Sequence, residues 1–417
     1  MYIKLNYKKN NKYKKKYIKI DITGSKSETN RLLIIKKLYN NIKLYNLSNS
    51  NDTKLMLYAL KSNNNIINVK DAGTVMRFLI SYFSIQNKKI TILTGTKRMK
   101  QRPIYNLILA LKQLDCNIKY LKHNGYPPIK IIGKKIIKNK IKIKSNISSQ
   151  FISSLILIGS KLKNGLIIKL LKNKISLSYI YMTINILKKL NFKINIKNNY
   201  IFINNLKKIK KKKKFLIESD WSSASYFYLL LSVFKKKKII LTKFKKKSYQ
   251  GDSIISYIYN KYFGIKTKFK KKNNIIIYNK KKFKKIKYLK LNLKSTPDIA
   301  QTIIVTCSIL KIKCLLKGLD TLKIKETDRL IALKNELKKI GTYTKITNNS
   351  IEIIKINKIP KKKIIINTYN DHRMAMSFSA FSLKRNIIIE NPKTVKKSYP
   401  NFWKDLKKIG INIKFIK

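Results

Sequence analysis

Two acids, one lysine and one arginine lie within the short segment from Lys325 to Arg329. This mixture is unusual because the chain holds 97 Lys and Arg against only 17 Asp and Glu. If a helix begins near Lys325, then Lys325, Glu326 and Arg329 share one face, since residues three or four apart are neighbours on a helix. A carboxylate held among cations can carry a proton while the cations bind an anion. The segment therefore predicts proton transfer on an anionic substrate, with a surface salt bridge of Glu326 as the alternative.

A second candidate proton carrier is Asp298, which directly follows Pro297. Proline is favoured at the first position of a helix, so a helix can start here. Asp298 is therefore either a catalytic acid or base, or the N-cap of that helix. We expect Asp328 to cap or pair locally, which leaves Glu326 as the catalytic acid of its own segment.

The arginines also point to an anion site. The chain has seven of them, and six lie in five short polar segments. A planar guanidinium binds a carboxylate or phosphate through two parallel hydrogen bonds, a geometry that a lysine ammonium cannot offer. The arginines of these segments are Arg31, Arg77, Arg98, Arg102, Arg329 and Arg373.

The segment GSKSETNR, residues 24–31, sits on a predicted strand-to-helix turn. Ser25 and Glu28 have the spacing of a capping box ahead of an apolar helix face. Backbone N–H groups at such a turn can bind an anion, and Lys26 lies beside them. An ordinary helix cap is the alternative interpretation.

The segment SSQF offers two neighbouring hydroxyls and an amide. Ser148, Ser149 and Gln150 lie just ahead of a predicted helix over residues 152–158. They indicate either a phosphate-binding turn or simple capping of that helix. Together, the polar segments predict group transfer on a doubly anionic small molecule.

The net charge of +80 raises the possibility of a nucleic-acid partner, since lysines gain affinity by releasing counterions from phosphates. Three features argue against a specific one. The charge is spread along the whole chain, its excess is lysine and not arginine, and Lys, Ile, Asn and Tyr are abundant together. This pattern is expected of compositional drift toward A and T in the coding sequence. A basic nucleic-acid-binding protein stays open as the alternative function.

The three cysteines have no metal-ligand spacing, and the chain has only two histidines, so we predict no metal site. Buried thiols in a reducing compartment explain the cysteines. The longest apolar run, residues 226–234, is too short to span a membrane. The amino terminus shows no hydrophobic signal segment, and the first polar motif begins at Gly24, so we expect a cytoplasmic protein.

Polar motifs recur at intervals of about fifty residues, each between a strand-like run and an apolar helix. This spacing predicts a repeated strand–helix unit. Low charge and small residues near Ser219 place a domain boundary just before it, and the length favours two domains.

Ten ordered motifs make the chain resemble the 5-enolpyruvylshikimate-3-phosphate synthases of the enolpyruvyl transferase family. They extend from Gly24 to Pro400, nearly the whole chain, and an ordered set is far more specific than any one motif. The motifs are GSKSETNR, DAGTVMRFL, KRMKQRPI, SSQF, SDWSSASYF, YQGD, PDIA, KETDRL, NDHRMAM and NPKTVKKSYP.

The resemblance implies an α/β (α+β) fold of two similar domains, each built from three βαβαββ units, with the active site in the interdomain cleft. Residues 1–20 with 219–417 are expected to form one domain and residues 21–218 the inserted one. The implied reaction transfers the enolpyruvyl group of phosphoenolpyruvate to the 5-hydroxyl of shikimate 3-phosphate through a tetrahedral intermediate. It needs no metal or organic cofactor, no nucleic acid and no membrane, and the enzyme is expected to be a monomer.

The resemblance also assigns roles to individual residues. Asp298 takes the proton of the 5-hydroxyl with Lys325 beside it, and Glu326 exchanges a proton at the methylene carbon. Lys26 contacts both substrates. Shikimate 3-phosphate contacts Ser27, Arg31, Ser148, Ser149, Gln150, Ser176 and Tyr179. Phosphoenolpyruvate lies near Gly73, Arg102, Arg329, Arg373 and Lys397.

Three positions depart from the family's motifs. Asp71 stands where an Asn is common, which adds a negative charge unless Asp71 caps its helix. Thr321, which we count among the substrate-binding residues, replaces an Asn and keeps a hydroxyl without the amide. Residues 177–179 read LSY in place of Lys-Pro-Tyr, which bears on Tyr179.

The nearest enzyme alternative is the related transferase that acts on UDP-N-acetylglucosamine. That enzyme carries a reactive cysteine on a loop and lacks the GSKS and KETDR motifs, so the motifs present here disfavour it.

Overall fold

The computed structural model describes residues 1–7, 17–144, 148–171, 177–234, 238–284 and 286–416. The chain divides into two compact units. The terminal unit consists of Met1–Thr23 and Glu218–Lys417, and the inserted unit of Gly24–Ile217.

Strands and helices alternate through both units. The strands are β1 (Tyr2–Asn6), β2 (Ile18–Ile20), β3 (Ile42–Tyr45), β4 (Ile66–Asn68), β5 (Ile90–Thr94), β6 (Asn117–Tyr120), β7 (Ile129–Ile132), β8 (Lys140–Lys144), β9 (Leu166–Leu171), β10 (Ile194–Lys197), β11 (Tyr200–Ile203), β12 (Lys213–Leu216), β13 (Lys238–Leu241), β14 (Ile265–Lys270), β15 (Asn274–Asn279), β16 (Tyr288–Asn292), β17 (Lys313–Lys317), β18 (Thr342–Ile346), β19 (Ser350–Ile356), β20 (Ile365–Ile366), β21 (Ile387–Glu390) and β22 (Asn412–Ile416). The helices are α1 (Lys26–Leu38), α2 (Asn51–Lys61), α3 (Gly73–Ser84), α4 (Tyr105–Lys112), α5 (Ser149–Gly159), α6 (Leu177–Lys189), α7 (Trp221–Val233), α8 (Ile255–Tyr262), α9 (Ala300–Leu310), α10 (Arg329–Lys339), α11 (His372–Phe378) and α12 (Phe402–Lys408).

Two of the three sheets in the described part of the inserted unit share one topology. In the order β4-β5-β7-β6, the first two strands are parallel and the last two form an antiparallel hairpin. The order β8-β9-β11-β10 repeats it. The remaining pair, β12 with β3, is parallel and lacks a hairpin among the described residues.

The terminal unit repeats the same topology in the orders β2-β13-β15-β14 and β16-β17-β19-β18. Its other sheet has the order β20-β21-β1-β22, in which the amino-terminal strand β1 lies between two carboxy-terminal strands. β1 and β2 therefore belong to different sheets and do not form a hairpin with each other.

The strands form because apolar and lysine residues alternate. In β8, KIKIK, the isoleucines are buried and the lysines exposed, as expected of a strand with one face on the core. This alternation accommodates a large number of lysines at the surface without disturbing the core.

One helix in each repeat is buried on nearly every face. These inner helices are α1, α3 and α5 in the inserted unit and α7, α9 and α11 in the terminal unit. Within each unit the three pack against one another. Helices that are apolar all round are typical of a core. Each begins at, or just after, a polar motif, so the fold brings the predicted site segments to helix amino termini.

Candidate active site

Arg329 is the centre of the site in the terminal unit. Its side chain is 2% exposed, and its Nε donates to Asp371 Oδ2 at 2.6 Å. Nη1 donates to Asp298 Oδ1 at 3.0 Å, and Nη2 donates to Glu326 Oε2 at 2.9 Å. The neighbouring carboxylates raise the pKa of Arg329 despite the opposing effect of burial. One guanidinium therefore holds three carboxylates from three different segments in a fixed arrangement.

The helix that carries Arg329 starts later than predicted. Residues Asp320–Ile324 form a 3-10 turn, Lys325 is extended, and α10 begins only at Arg329. The shared helix face predicted for Lys325, Glu326 and Arg329 is therefore wrong. The reason is Asp328, whose Oδ1 accepts from the backbone N–H groups of Leu330 and Ile331 as the N-cap. The local capping role predicted for Asp328 is confirmed.

Asp298 lies among three cations. Besides Arg329, Lys325 Nζ lies 3.6 Å from its Oδ1 and Arg373 Nη2 lies 3.2 Å from its Oδ2. Arg373 Nη1 also donates to the Asp298 backbone oxygen at 3.0 Å. Asp298 lies within the 3-10 turn Pro297–Ile299, and it is not the N-cap residue of α9. The predicted acid and the cations Lys325, Arg329 and Arg373 are brought together.

Glu326 has a similar setting. Its Oε2 accepts from Arg329, and Lys397 Nζ lies 3.6 Å from its Oε1. The side chains of Glu326 and Asp298 are 12% and 14% exposed, so both are largely shielded and still reach solvent. The two candidate proton carriers are held by the same guanidinium, with a lysine next to each.

Three acidic or hydroxyl residues of this site were not predicted. Asp371 binds Arg329 and caps α11 by accepting from the Arg373 N–H at 2.8 Å. Ser222 Oγ donates to Asp252, and Arg373 Nη2 donates to Ser222 at 3.4 Å. Burial, with the nearby Asp298 charge, raises the pKa of Asp252 to about 7. All three lie in segments that the resemblance highlighted, which is the signal that could have identified them.

In the inserted unit, the Arg31 side chain joins three helices, α1, α5 and α6. Its Nε donates to Thr183 at 2.7 Å, and its Nη2 donates to Ser153 Oγ at 3.1 Å and to the Tyr179 backbone oxygen at 3.3 Å. Nη1 donates to the Ser27 backbone oxygen at 2.9 Å. Burial lowers the pKa of Arg31 to about 10. The predicted residues Ser27, Arg31 and Tyr179 are brought together.

Lys26 is the first residue of α1, after Ser25 as the N-cap. The predicted cap is confirmed. Lys26 Nζ binds Asp52 Oδ2 at 3.0 Å, and this buried acid on α2 was not predicted. Lys26 is thereby held at the start of α1, where backbone N–H groups favour an anion.

Gly73 and Arg102 are in direct contact. A Cβ added at Gly73 would lie 2.6 Å from both terminal nitrogens of Arg102, so a larger residue here would displace this guanidinium. Gln150 Nε2 donates to Thr74 Oγ1 at 3.2 Å, which joins the amino termini of α3 and α5. Gly73, Arg102 and Gln150 are therefore drawn to one place.

The helix after SSQF begins three residues earlier than predicted. Ser148 is its N-cap and accepts from the Gln150 N–H at 3.3 Å, so Ser149 and Gln150 lie in the first turn. Capping starts the helix at the first suitable hydroxyl, before the apolar residues that the prediction used. Ser176 lies outside the described residues.

Two of the departures from the family's motifs are also placed. Thr321 is the second residue of the 3-10 turn that precedes Lys325. Asp71 is not the N-cap of α3, because Ala72 occupies that position without a side-chain cap.

Among the described residues, no group of three or more His, Cys, Asp or Glu side chains is arranged to hold a metal ion. Across the same parts of the chain, no helix has the length and apolar character needed to cross a membrane.

The known proteins that this chain resembles belong to one enzyme family, and the similarity extends over nearly the full length of the chain. Residues 60–406 match the model of the family described as EPSP synthase (3-phosphoshikimate 1-carboxyvinyltransferase). A 3-phosphoshikimate 1-carboxyvinyltransferase of Bacteroides fragilis is 38% identical over 398 residues, covering 95% of this chain and 96% of the relative. One of Buchnera aphidicola subsp. Cinara cedri is 37% identical over 420 residues, covering 93% of each.

The solved structure of an EPSP synthase from Acinetobacter baumannii is similar in fold. Its TM-score is 0.75 at 18% sequence identity, and the match covers 99% of this chain and 100% of that one. The predicted fold class and the predicted family are both confirmed, whereas the nucleic-acid alternative gains no support. The chain belongs to the EPSP synthase family, the 3-phosphoshikimate 1-carboxyvinyltransferases.

Proposed function

We propose that the chain transfers the enolpyruvyl group of phosphoenolpyruvate to the 5-hydroxyl of shikimate 3-phosphate by means of Asp298 and Glu326. The observation that carries this assignment is that one buried guanidinium, Arg329, binds both carboxylates, at 3.0 and 2.9 Å. Two acids that are positioned by the same guanidinium can carry out two separate proton transfers in one reaction.

The first step is an addition. The 5-hydroxyl oxygen bonds to C2 of phosphoenolpyruvate while Asp298 takes the hydroxyl proton. Glu326, protonated at that moment, gives its proton to the methylene carbon, which becomes a methyl group. The product of the step is a tetrahedral intermediate that carries both the new C–O bond and the phosphate.

The second step is an elimination. The C–O bond to phosphate breaks, and phosphate leaves with the bonding electrons. Glu326 takes a methyl proton back as the carbon–carbon double bond re-forms. The proton on Asp298 passes to the departing phosphate, so the two acids return to their starting states.

We assign the remaining cations and hydroxyls to substrate binding. Lys325, Arg373 and Lys397 lie next to the two acids, where they would hold the carboxylate and phosphate of phosphoenolpyruvate. Arg329, which donates to Asp371, Asp298 and Glu326, is assigned to the same substrate through the two acids that it orients. Arg102, beside Gly73 in the inserted unit, is assigned to it as well. Thr321 precedes Lys325 on the 3-10 turn.

Shikimate 3-phosphate is assigned to helix amino termini of the inserted unit. N–H groups at the starts of α1 and α5 and the charge of Lys26 favour its phosphate. Ser27, Ser148, Ser149 and Ser176 supply hydroxyls, and Gln150 and Tyr179 flank the ring. Arg31 donates to protein oxygens on every nitrogen, so it contributes positive charge and also keeps Tyr179 in place.

The two compact units are proposed as the two domains of the enzyme, close to the predicted bounds of 1–20 with 219–417 and 21–218. The protein is proposed to act as a cytoplasmic monomer. Its three cysteines are free and buried, and burial raises the pKa of Cys116 to about 12, which fits unreactive thiols in a reducing compartment.

The test is phosphate release by the purified protein. With phosphoenolpyruvate and shikimate 3-phosphate together, phosphate and the enolpyruvyl product should appear in equal amounts, and with either substrate alone neither should. No phosphate from saturating amounts of both substrates would reject the assignment.

Thermal melting separates the enzyme from the nucleic-acid alternative. Shikimate 3-phosphate at about 100 times its dissociation constant should stabilise the protein by about 2.7 kcal/mol. Because any anion stabilises a chain of charge +80, the control is sulfate at equal ionic strength. Equal shifts from both would favour unspecific anion binding.

A further inference from the structure

A buried carboxylate outside the site described above organises the start of α7. Glu218 is 1% exposed, and its Oε1 accepts from Trp221 Nε1 and from the Lys245 N–H, both at 2.8 Å. Its Oε2 accepts from Ser248 Oγ at 2.7 Å. Ser248 Oγ itself accepts from the Gln250 N–H at 3.0 Å, so its one hydrogen goes to Glu218. The indole and backbone groups can only donate, and they need an acceptor here.

Gln250 makes a second connection between the same two segments. Its Oε1 accepts from the Trp221 N–H at 3.0 Å, and its Nε2 donates to the Ser219 backbone oxygen at 2.9 Å. Both ends of the amide are used, and Gln250 is buried. The hydrogen bonds of Glu218 and Gln250 together hold the loop over residues 245–250 against the segment over residues 218–221.

These two segments lead directly into the active site. Ser222 follows Trp221, and Asp252 follows Gln250 by two residues. Ser222 donates to Asp252 and accepts from Arg373 Nη2, the nitrogen that lies 3.2 Å from Asp298. A change in the spacing of the segments would therefore move Ser222 relative to Asp252 and redirect Arg373.

We propose that Glu218 is a positioning residue for the transfer reaction. Its carboxylate holds the loop over residues 245–250 against the start of α7, and this sets Ser222 and Asp252 against Arg373 beside Asp298. The inference rests on the proposed function, because Arg373 and Asp298 are its substrate-binding and proton-carrying groups. Glu218 does not touch the reacting atoms and acts only through Ser222 and Asp252.

The test is a double-mutant cycle with Glu218→Gln and Ser222→Ala. Glu218→Gln keeps the shape of the side chain and replaces an acceptor oxygen by a donor, so we expect kcat to fall about tenfold with KM for shikimate 3-phosphate unchanged. In the Ser222→Ala background the same change should lower kcat less than threefold. An equal loss in both backgrounds, or an unchanged kcat, would overturn the proposal.

Glu336→Gln is the matched control. Glu336 is also a buried carboxylate of the terminal unit, and it accepts from the Asn367 N–H at 3.0 Å and from Tyr369 Oη at 2.8 Å. Its partners are not Ser222 or Asp252. We expect Glu336→Gln to lower the melting temperature about as much as Glu218→Gln, and to change kcat by the same factor in the unmodified and Ser222→Ala backgrounds.

Hydrogen exchange gives a readout that does not depend on activity. Glu218→Gln should speed amide exchange in residues 245–253 at least tenfold, and Glu336→Gln should not. Unchanged exchange in this loop overturns the inference even if the unmodified chain is inactive. Faster exchange with an inactive unmodified chain would instead refute the proposed function and support the positioning contacts.

Discussion

Arg329→Lys is the most informative single change, because it keeps the positive charge and removes the planar guanidinium with its several N–H donors. The guanidinium reaches Asp371, Asp298 and Glu326 from three different nitrogens, at 2.6, 3.0 and 2.9 Å. A lysine ammonium is a single point on a flexible stem and cannot occupy three such directions. At least two of the carboxylates would lose their charged hydrogen bond.

The size of the effect follows from these contacts. A hydrogen bond to a charged group contributes about 1.5–3 kcal/mol, so the loss of two costs about 3–6 kcal/mol. This agrees with the roughly 3–5 kcal/mol expected when a buried ion pair loses one partner. We also expect kcat/KM to fall at least about a hundredfold, because Asp298 and Glu326 would no longer share one frame.

Urea unfolding followed by tryptophan fluorescence measures how much Arg329→Lys lowers the free energy of unfolding. Both tryptophans, Trp221 and Trp403, lie in the terminal unit with Arg329, so the signal reports on that unit. The control is Arg385→Lys, an arginine outside the site whose guanidinium donates to the Pro360 backbone oxygen. If Arg329→Lys unfolds within about 1 kcal/mol of the unmodified protein and retains activity, Arg329 does not organise the acids.

Three other changes test separate parts of the account. Gly73→Ala places a methyl group 2.6 Å from the Arg102 nitrogens, so steady-state kinetics should show KM for phosphoenolpyruvate raised about tenfold and KM for shikimate 3-phosphate within twofold. Asp252→Asn should raise the melting temperature at pH 8. The folded-state pKa of Asp252 is raised from 3.8 to about 7, so the ionised acid costs at most about 4 kcal/mol above pH 7, and the difference should shrink as pH falls toward 4. Ser148→Ala removes the cap that accepts from the Gln150 N–H, so urea unfolding followed by far-ultraviolet circular dichroism should show a loss of about 1 kcal/mol, and KM for shikimate 3-phosphate should rise.

Local signals in the sequence were enough for the elements that local chemistry controls. Ser25 and Asp328 cap their helices as predicted, because a cap depends on a side chain and the backbone two or three residues away. The same reasoning failed for the start of α10. The prediction weighed the charge pattern of Lys325 and Glu326 above the capping preference of Asp328, and capping decided the boundary.

Partners that come from distant segments could not be predicted. Arg329 binds Asp371, which is forty-two residues away, and Lys26 binds Asp52 on the next helix. Both ion pairs depend on which helices pack together in the fold, and spacing along the chain does not contain that information. Glu218 was not predicted for the same reason, since two of its three donors, Lys245 and Ser248, lie 27 and 30 residues away along the chain.

The most direct test of the account compares three acids in the phosphate-release assay. Asp298→Ala and Glu326→Ala should each lower kcat at least about a hundredfold, as expected when a general acid or base is removed. Asp328→Ser, which removes the third acid of the region and keeps the helix cap, should stay within about threefold of the unmodified chain. Activity within tenfold in either alanine variant, or an equal loss in Asp328→Ser, would contradict the assignment of Asp298 and Glu326 as the proton carriers.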